Sequence, residues 1–188
     1  TRLTERSGEW RVLELGFGAG INFVQTAKAV FEAGQSLEYH AVEYAPVEAD
    51  LVDFHDGEAG EMVRRALDGL DLEAPTSVEI KSADGSIRLT LHPIEWRTLD
   101  LEGFDADSVY FDPFGPREEP DSWELPCFEV ARCHMHDTAI LGTYSAATRV
   151  KEAMFRSGLA VATAPGAGPK REITFASPTS KPLAPYTL

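Results

Sequence analysis

Two loops of this sequence carry residues of the types and spacings found in binding and catalytic sites. The first loop runs from Glu14 to Asn22. It reads Glu-Leu-Gly-Phe-Gly-Ala-Gly-Ile-Asn. Glycines at this spacing permit positive φ angles and a close backbone approach to a ligand, and a helix that begins there offers unpaired N–H groups. A dinucleotide site has G-x-G-x-x-G around a pyrophosphate, but here the third glycine comes one position earlier and Glu14 ends the preceding strand. That carboxylate repels pyrophosphate and suits the ammonium and sulfonium groups of S-adenosylmethionine.

A second acid, Glu43, follows the next predicted strand. A carboxylate at that edge can accept both hydroxyls of an adenosine ribose, as the equivalent acid does in nucleotide-binding Rossmann domains. The glycine loop alone is also compatible with a plain strand-to-helix turn, but with both acids a cofactor site is the better interpretation. Tyr44 could lie against the cofactor or simply be a packing aromatic. The predicted cofactor-binding residues are Glu14, Gly16, Phe17, Gly18, Gly20, Asn22, Glu43 and Tyr44.

The second loop begins at Asp112 and continues as Pro-Phe-Gly-Pro. Ligands of open α/β sheets bind outside the carboxyl ends of the strands, and Asp112 follows a strand candidate. An aspartate there can orient an acceptor amine and help it to lose a proton, so Asp112 is the predicted catalytic residue. Phe114 could add an apolar wall against a planar base, which makes it a candidate substrate-binding residue. The alternative for Asp-Pro is an ordinary turn start.

A metal site was weighed for the cysteine and histidine residues near the middle of the chain. Cys127 and Cys133 lie six positions apart, with His134 and His136 beside the second. Zinc sites draw on closer pairs, such as C-x-x-C, and on a full set of four ligands. We therefore expect reduced thiols and no metal.

Hydrophobic periodicity predicts the elements that must position the two loops. Strands and helices alternate along the chain, which is typical of a parallel α/β sheet. Asp84-Gly85 between two alternating stretches of Ser77 to His92 predicts a β-hairpin insertion. The predicted strands are 11–15, 37–42, 108–111, 138–144, 159–163 and 172–176, and the predicted helices are 21–31, 46–54, 60–70, 123–136 and 146–157.

Composition limits the domain organisation and the partners. The 188 residues, 43% of them hydrophobic, suit one domain over 1–177, and three prolines favour an extended tail over 178–188. The sequence lacks a membrane-length apolar run and an apolar leader, so a cytoplasmic location is expected. A net charge of −14 argues against a nonspecific nucleic-acid binder. A local basic patch or a plain solvated face explains the C-terminal basic residues equally well: Arg149, Lys151, Arg156, Lys170 and Arg171.

Three stretches together resemble one family, the MnmC-type tRNA methyltransferases. They are Val12 to Phe23, Phe111 to Pro116 with Asp121-Ser122-Trp123 beyond it, and Gly168 to Glu172. The resemblance implies a Rossmann-like class I S-adenosylmethionine-dependent methyltransferase, with a mostly parallel sheet and helices on both faces. It also implies methyl transfer to the exocyclic amine of 5-aminomethyl-2-thiouridine in tRNA. Its implied roles are cofactor binding by Glu14, Gly16, Gly18, Gly20 and Glu43, acceptor binding by Asp112, and tRNA contact by Lys170 and Arg171.

The sequence departs from the family pattern at three places, which keeps other functions open. Leu91 to Trp96 stands where the family has a Gly-Asp for the adenine amine, and Asp112 precedes Pro-Phe rather than Gly-Phe-Ala-Pro. The family also has a further segment before the glycine loop. One alternative is a methyltransferase of the same fold that acts on a small amine or other metabolite, and another is a cofactor-binding homologue without turnover.

Overall fold

The computed structural model describes residues 8–52, 56–71, 73–166 and 172–186. The chain forms two compact units, Thr1–Glu95 and Trp96–Leu188. Each unit contains strands that run between helices, and each contains one of the two loops singled out above. The single domain predicted over 1–177 stays a prediction.

The first unit contains four strands in the order β3-β4-β2-β1. They are β1 (Glu9–Leu15), β2 (Ser36–Val42), β3 (Val78–Lys81) and β4 (Ile87–His92). β2 pairs in parallel with both β1 and β4, whereas β3 is antiparallel to β4. The predicted hairpin is therefore present, but its second strand is also a member of the parallel ladder. Alternate residues of β2 (Leu37, Tyr39 and Ala41) are buried on one face.

Two helices complete the first unit, α1 (Ile21–Glu32) and α2 (Gly57–Asp68). α1 buries one stripe of side chains at positions 23, 26, 27 and 30, which is the spacing of one helical face. Gly34, at φ 64°, follows its end. The helix expected over 46–54 is replaced by a short 3-10 helix, Ala49–Val52, and Phe54 lies outside the described residues. Among the described residues of this stretch only Val52 is buried, so it has no continuous apolar face for a longer helix to bury.

The second unit contains four strands in the order β5-β6-β8-β7. They are β5 (Ala106–Phe111), β6 (Met135–Thr143), β7 (Ala160–Pro165) and β8 (Glu172–Ser177). β5 and β6 are parallel, and β8 is antiparallel to both β6 and β7. The side chains of Val109, Phe111 and Leu141 are buried at the centre of this unit. Parallel pairs in both units, with antiparallel strands at one edge of each, confirm the predicted α/β class.

The helices of the second unit are α3 (Leu125–Cys133) and α4 (Thr148–Arg156). α3 is shorter than the predicted 123–136, because a 3-10 helix, Pro120–Trp123, precedes it and β6 begins directly after it. The tail differs from the expected extended arm. Its described part contains a 3-10 helix, Lys181–Leu183, Leu183 is buried, and the ring of Tyr186 stacks on Phe175 at 4.3 Å between centroids.

Candidate cofactor and acceptor sites

The glycine loop after β1 has a backbone that only glycine adopts readily. Gly16, Gly18 and Gly20 have φ angles of 91°, 52° and 73°. Gly20 is buried at the start of α1, and a Cβ there would lie 2.8 Å from Val63 Cγ2 and 2.9 Å from Phe17 Cζ. Gly18 is different, because a Cβ there would meet no atom within 4 Å. The loop is therefore tightly packed at Gly20, whereas Gly18 has open space beside it.

Glu14, the last acid of β1, is fully buried and hydrogen-bonded. Its Oε1 accepts from the Asn22 side-chain amide at 2.7 Å, and its Oε2 accepts from the Tyr39 hydroxyl at 2.8 Å. Tyr39 is itself buried, edge-on to the ring of Phe23 at 5.1 Å between centroids. A buried charge needs such partners, so Asn22 and Tyr39 fix the position of the carboxylate at the floor of the loop.

Glu43 lies directly after β2 and ties the loop to that strand. Its Oε2 accepts from the backbone N–H of Gly18 at 2.9 Å, and its Oε1 accepts from the backbone N–H of Ala45 at 3.0 Å. The Glu43 N–H in turn donates to the carbonyl of His92 at 3.0 Å. The acid predicted at the strand edge is therefore next to the glycine loop, where the structure brings Glu14, Gly18 and Glu43 together.

These residues fit S-adenosylmethionine as a ligand. The open space at Gly18 and the uncapped start of α1 offer room and backbone donors, and the nearby carboxylates suit a cationic ligand. The side chain of Phe17 is only 3% exposed and packs under Gly20, so the role predicted for Phe17 is confined to its backbone. Tyr44 is 70% exposed beside Glu43.

The neighbouring strands β2 and β4 each contribute one histidine near Glu43. His92 Nε2 and His40 Nδ1 are 2.9 Å apart, and Ser77 Oγ is 2.6 Å from His92 Nδ1. Burial, followed by the neighbouring His40, lowers the pKa of His92 to about 4. Burial also lowers the pKa of His40, although the carboxylate of Glu38 opposes that shift. The pair is therefore neutral at pH 7 and belongs to the packing of the sheet.

In the second unit, Asp112 follows β5 and is exposed, as the sequence predicts. The loop after it has every backbone carbonyl from 113 to 116 hydrogen-bonded. The Tyr144 hydroxyl donates to the Pro113 carbonyl at 2.9 Å, and Trp123 Nε1 donates to the Phe114 carbonyl at 2.7 Å. The Gly115 carbonyl accepts from two backbone N–H groups at 2.9 Å, and the Arg149 guanidinium donates to the Pro116 carbonyl. The loop is therefore preorganised by side chains from distant parts of the unit.

Three carboxylates dominate the electrostatics on the side of the loop that faces Tyr144. Burial raises the pKa of the Tyr144 phenol to about 12, and the charges of Asp112, Glu118 and Glu119 add to that shift. Tyr144 therefore stays protonated and acts as a donor to the loop rather than as a base. The same carboxylates favour a cationic group near Asp112.

The predicted substrate-binding residues divide into one described and two undescribed positions. Phe114 is 73% exposed on the loop, although its carbonyl is held by Trp123. Lys170 and Arg171 lie outside the described residues. The sequence did not identify Tyr39, Trp123 and Tyr144 as positioning residues. Tyr39 and Tyr144 act across 25 and 31 positions, whereas Trp123 acts across nine and belongs to a stretch that carries the family resemblance without a role of its own.

Three of the four cysteine and histidine side chains considered as metal ligands have other partners. Cys127 is buried and accepts from Trp96 Nε1 at 3.3 Å, while Cys133 is exposed. His134 is held by Val130 and Leu101 backbone groups, and His136 Nε2 is 2.9 Å from Asp107. Across the described ranges, no three such residues are grouped to hold a metal ion. Within the same ranges, no helix has the length and apolar character needed to cross a bilayer.

Comparison with known proteins decides the family. Residues 58–179 match the family described as S-adenosyl-L-methionine-dependent methyltransferase. The chain belongs to this family. The enzyme class and the cofactor expected from the glycine loop and its acids are thereby confirmed. The contacts that individual residues of this methyltransferase make with the cofactor stay predictions.

Curated relatives of this methyltransferase bear the name tRNA 5-methylaminomethyl-2-thiouridine biosynthesis bifunctional protein MnmC. The one from Polaromonas naphthalenivorans (strain CJ2) is 34% identical over 181 residues, which cover 87% of this chain and 27% of that protein. The one from Paracidovorax citrulli (strain AAC00-1) is 35% identical over 174 residues, which cover 86% and 27%. The methyltransferase is therefore an MnmC-type relative that spans little more than a quarter of the length of these proteins.

Solved structures show the same fold. MNMC2 from Aquifex aeolicus superposes with a TM-score of 0.75 at 22% identity, over 95% of this chain and 56% of that one. The S-adenosylmethionine-bound amino pentose methyltransferase CalS10 from Micromonospora echinaspora superposes with a TM-score of 0.55 at 13% identity, over 90% and 84%. The predicted Rossmann-like methyltransferase fold is confirmed.

Proposed function

We propose that this methyltransferase transfers a methyl group to the exocyclic amine of 5-aminomethyl-2-thiouridine at the wobble position of tRNA. The observation that carries the proposal is the fixed, acidic loop at Asp112. An alkylamine is protonated at neutral pH, as lysine is, and carboxylates around the loop favour such a cation. The names of the MnmC relatives supply the particular nucleoside. A tRNA substrate would place the enzyme in the cytoplasm.

For the cofactor, the proposal assigns the loop from Glu14 to Asn22 together with Glu43. Glu14, which is fully buried, would act on the ammonium of the methionyl part through its charge rather than by contact. The backbone at Gly16, Gly18 and Gly20 would allow close approach, and Glu43 would bind the ribose hydroxyls. When bound, S-adenosylmethionine supplies a methyl group on a sulfonium. Asn22 and Tyr39 would act indirectly, because both hold Glu14.

For the acceptor, the proposal assigns Asp112 as the group that orients the amine. Its carboxylate would accept a hydrogen bond from the bound ammonium and take one proton from it, which exposes the lone pair, and would pass that proton on to solvent. The neutral amine, held in line, would then accept the methyl group and end as a methylated ammonium. Tyr144 is excluded as the base because its pKa is raised to about 12. Phe114, exposed on the fixed loop, would stack on a planar base. Lys170 and Arg171 retain the tRNA contact that the family resemblance implies.

A second candidate function is methylation of a small amine or other metabolite by the same site. It is favoured by the net charge of −14, because such a body repels a polyanion. A cofactor-binding homologue without turnover receives no support from membership of a methyltransferase family.

The experiment that separates the candidates uses S-adenosylmethionine labelled on its methyl group. The enzyme is incubated with tRNA from cells that lack this methylation and, separately, with a pool of small amines. Labelled 5-methylaminomethyl-2-thiouridine in digested tRNA supports the proposal, whereas label only in the amine pool would refute it.

The variant Asp112→Asn provides the matched test of the acceptor site. We expect methyl transfer to fall at least about a hundredfold, as for loss of a positioned acid-base group, with cofactor binding unchanged in calorimetry. A parallel loss of cofactor affinity would move Asp112 into the cofactor site. Asp137→Asn, an exposed residue of β6, is the control for a lost negative charge.

A further inference from the structure

A cavity of about 620 Å³ lies beside the Asp112 loop in the second unit. One of its walls is the end of that loop with Arg117, and another is the start of α4 with Arg149. Both arginines are exposed. The cavity thus places two permanent cations next to the segment proposed to hold the methyl acceptor. It is lined by Pro116, Arg117, Glu118, Pro120, Ser145, Ala147 and Arg149.

The start of α4 adds backbone donors to this cavity. Ala147, the N-cap residue, lines the cavity and has no side chain that could cap the helix. The N–H groups of the first helical residues have no partner within a helix, and they carry partial positive charge. The first turn of α4 contains no acidic residue. An anion in the cavity would therefore meet an uncompensated helix N-terminus.

Ser145 adds a hydroxyl group to the lining of this cavity. It is only 6% exposed, and it lines the cavity. Its backbone N–H and carbonyl are bonded to Thr143 and Thr174, but its hydroxyl has no hydrogen-bond partner within the described part of the chain. The oxygen of this hydroxyl is not among the buried atoms that lack a partner, so it is accessible from the cavity and can bond an oxygen-rich ligand there.

The carboxylate of Glu118 is the one feature of the lining that opposes an anion. Its side chain is turned onto the loop, against Gly115, where a Cβ would collide with it. It also contributes to the raised pKa of Tyr144. Glu118 therefore belongs to the acidic surroundings of the acceptor amine, while the two guanidinium groups, the hydroxyl and the helix start remain as donors.

We infer that this cavity binds a backbone phosphate of the RNA substrate next to the nucleotide that is methylated. Phosphate oxygens accept hydrogen bonds from guanidinium, hydroxyl and helix N-terminal N–H groups, and all three are present. The inference rests on the proposed function, since it takes tRNA as the substrate. It gives a local phosphate contact to a protein whose overall charge is strongly negative. A free nucleotide would offer the same chemistry, so the test must separate the two sources.

The test compares Arg117→Gln with Arg156→Gln. Arg156 is the exposed last residue of α4, so the control removes the same charge at the other end of the helix. Binding of hypomodified tRNA is measured between 50 and 200 mM salt by fluorescence anisotropy. Because each phosphate contact in a single-stranded segment contributes about 0.7 to the salt slope, Arg117→Gln is expected to reduce the slope by about that amount. Affinity should fall about fivefold at low salt, and the control should match the wild type.

Ser145→Ala sharpens the result, because a hydroxyl contributes a hydrogen bond but releases no counterion. We expect its affinity to fall about threefold with the salt slope unchanged. In methyl transfer, both site variants should raise KM for tRNA and leave kcat unchanged, as for loss of uniform binding. Equal salt slopes for Arg117→Gln and Arg156→Gln would overturn the inference.

Inorganic phosphate and uridine 5′-monophosphate serve as the second arm, with binding followed by calorimetry. If the wild type methylates tRNA and Arg117→Gln keeps its salt slope, only the phosphate inference is overturned. If tRNA is not methylated but the nucleotide binds and Arg117→Gln weakens it, the RNA source and the proposed function are overturned. If neither RNA nor nucleotide binds, both fail while cofactor binding shows that the protein is folded.

Discussion

The loops after β1 and β5 are both held rigidly, but by different means. The glycine loop is shaped by its own backbone, with φ angles of 91°, 52° and 73° at its three glycines. The Asp112 loop is shaped by its surroundings, since Tyr144, Trp123 and Arg149 each donate to one of its carbonyls. The conformation of the glycine loop can be changed by substitutions in the loop itself. The conformation of the Asp112 loop can be changed by substitutions outside it.

This difference suits the ligands proposed for the two loops. A cofactor that is the same in every turnover can be met by a backbone whose glycines leave space for it. An acceptor must be placed with its lone pair in line, and side-chain supports allow that placement to be adjusted by substitutions elsewhere. Four sets of substitutions and conditions test this comparison.

Alanine substitutions at single glycines should distinguish three effects of an added Cβ. These are collision with packed side chains, backbone strain at positive φ, and loss of space for the cofactor. Gly20→Ala combines a positive φ with collisions against Val63 and Phe17, so it should cost about 3 kcal/mol of unfolding free energy. Gly18→Ala should cost about 1 kcal/mol, from strain alone, but should weaken S-adenosylmethionine binding at least about tenfold, because its Cβ enters the open space. Urea unfolding and calorimetry measure these two quantities.

Gly34→Ala is the control, because Gly34 also has a positive φ, of 64°, and open surroundings. It should lose about 1 kcal/mol of stability and no cofactor affinity. Equal costs for Gly20 and Gly34 would show that packing does not shape the glycine loop.

Tyr39→Phe should show how far the glycine loop depends on a support outside itself. It leaves one oxygen of the buried Glu14 carboxylate without the Tyr39 donor, at a cost of about 2 kcal/mol in the unfolding free energy. Cofactor affinity should fall as well, since Glu14 would be less well oriented. Tyr186→Phe keeps the ring stack on Phe175 and serves as the control. An unchanged stability for Tyr39→Phe would contradict the role assigned to that hydroxyl.

Acid should destabilise the first unit through His92, whose carbonyl binds Glu43. The pKa of His92 is about 4 in the folded protein, compared with the ordinary histidine pKa of 6.5. Between these values the unfolded chain binds the proton and the folded chain does not, so stability is full above pH 6.5 and falls as the pH is lowered. At pH 5.5 the loss from this group should be about 1.4 kcal/mol. His92→Gln should reduce the difference in urea unfolding between pH 7 and pH 5.5, and an unchanged difference would exclude His92 as its source.

Tyr144→Phe should have the smallest effect on stability and a clear effect on turnover. It removes one neutral hydrogen bond to the Pro113 carbonyl, worth about 1 kcal/mol of unfolding free energy. Because the Asp112 loop would be less well positioned, kcat/KM should fall about tenfold while cofactor affinity is retained. Trp123→Phe, which removes the donor to Phe114, should lower kcat/KM in the same way but cost more stability, because Trp123 is buried against Phe111. A loss of cofactor affinity in either variant would contradict the assignment of the cofactor to the glycine loop and the acceptor to the Asp112 loop.

The local parts of this comparison could be predicted from sequence. The glycine spacing and the acids at the ends of β1 and β2 indicated a strand, a loop, a helix and the cofactor class, since each signal depends on neighbouring residues. Leu37, Tyr39 and Ala41 alternate as a half-buried strand does, and α1 follows its helical spacing closely. The shortened α3 and the packed tail were less predictable, because their ends depend on neighbours distant in sequence.

Three features could be predicted from the sequence alone: the α/β class, the glycine loop with its acids, and the position of Asp112 after a strand. Each of them depends on the spacing of residues that are close together along the chain. The residues that support these site groups could be identified only from the tertiary structure. It brought Tyr39 to Glu14 across 25 positions and Tyr144 to Pro113 across 31. It also left the Ser145 hydroxyl facing a cavity with two arginines. Such contacts depend on how strands and helices pack, and packing joins residues whose separation along the chain carries no signal.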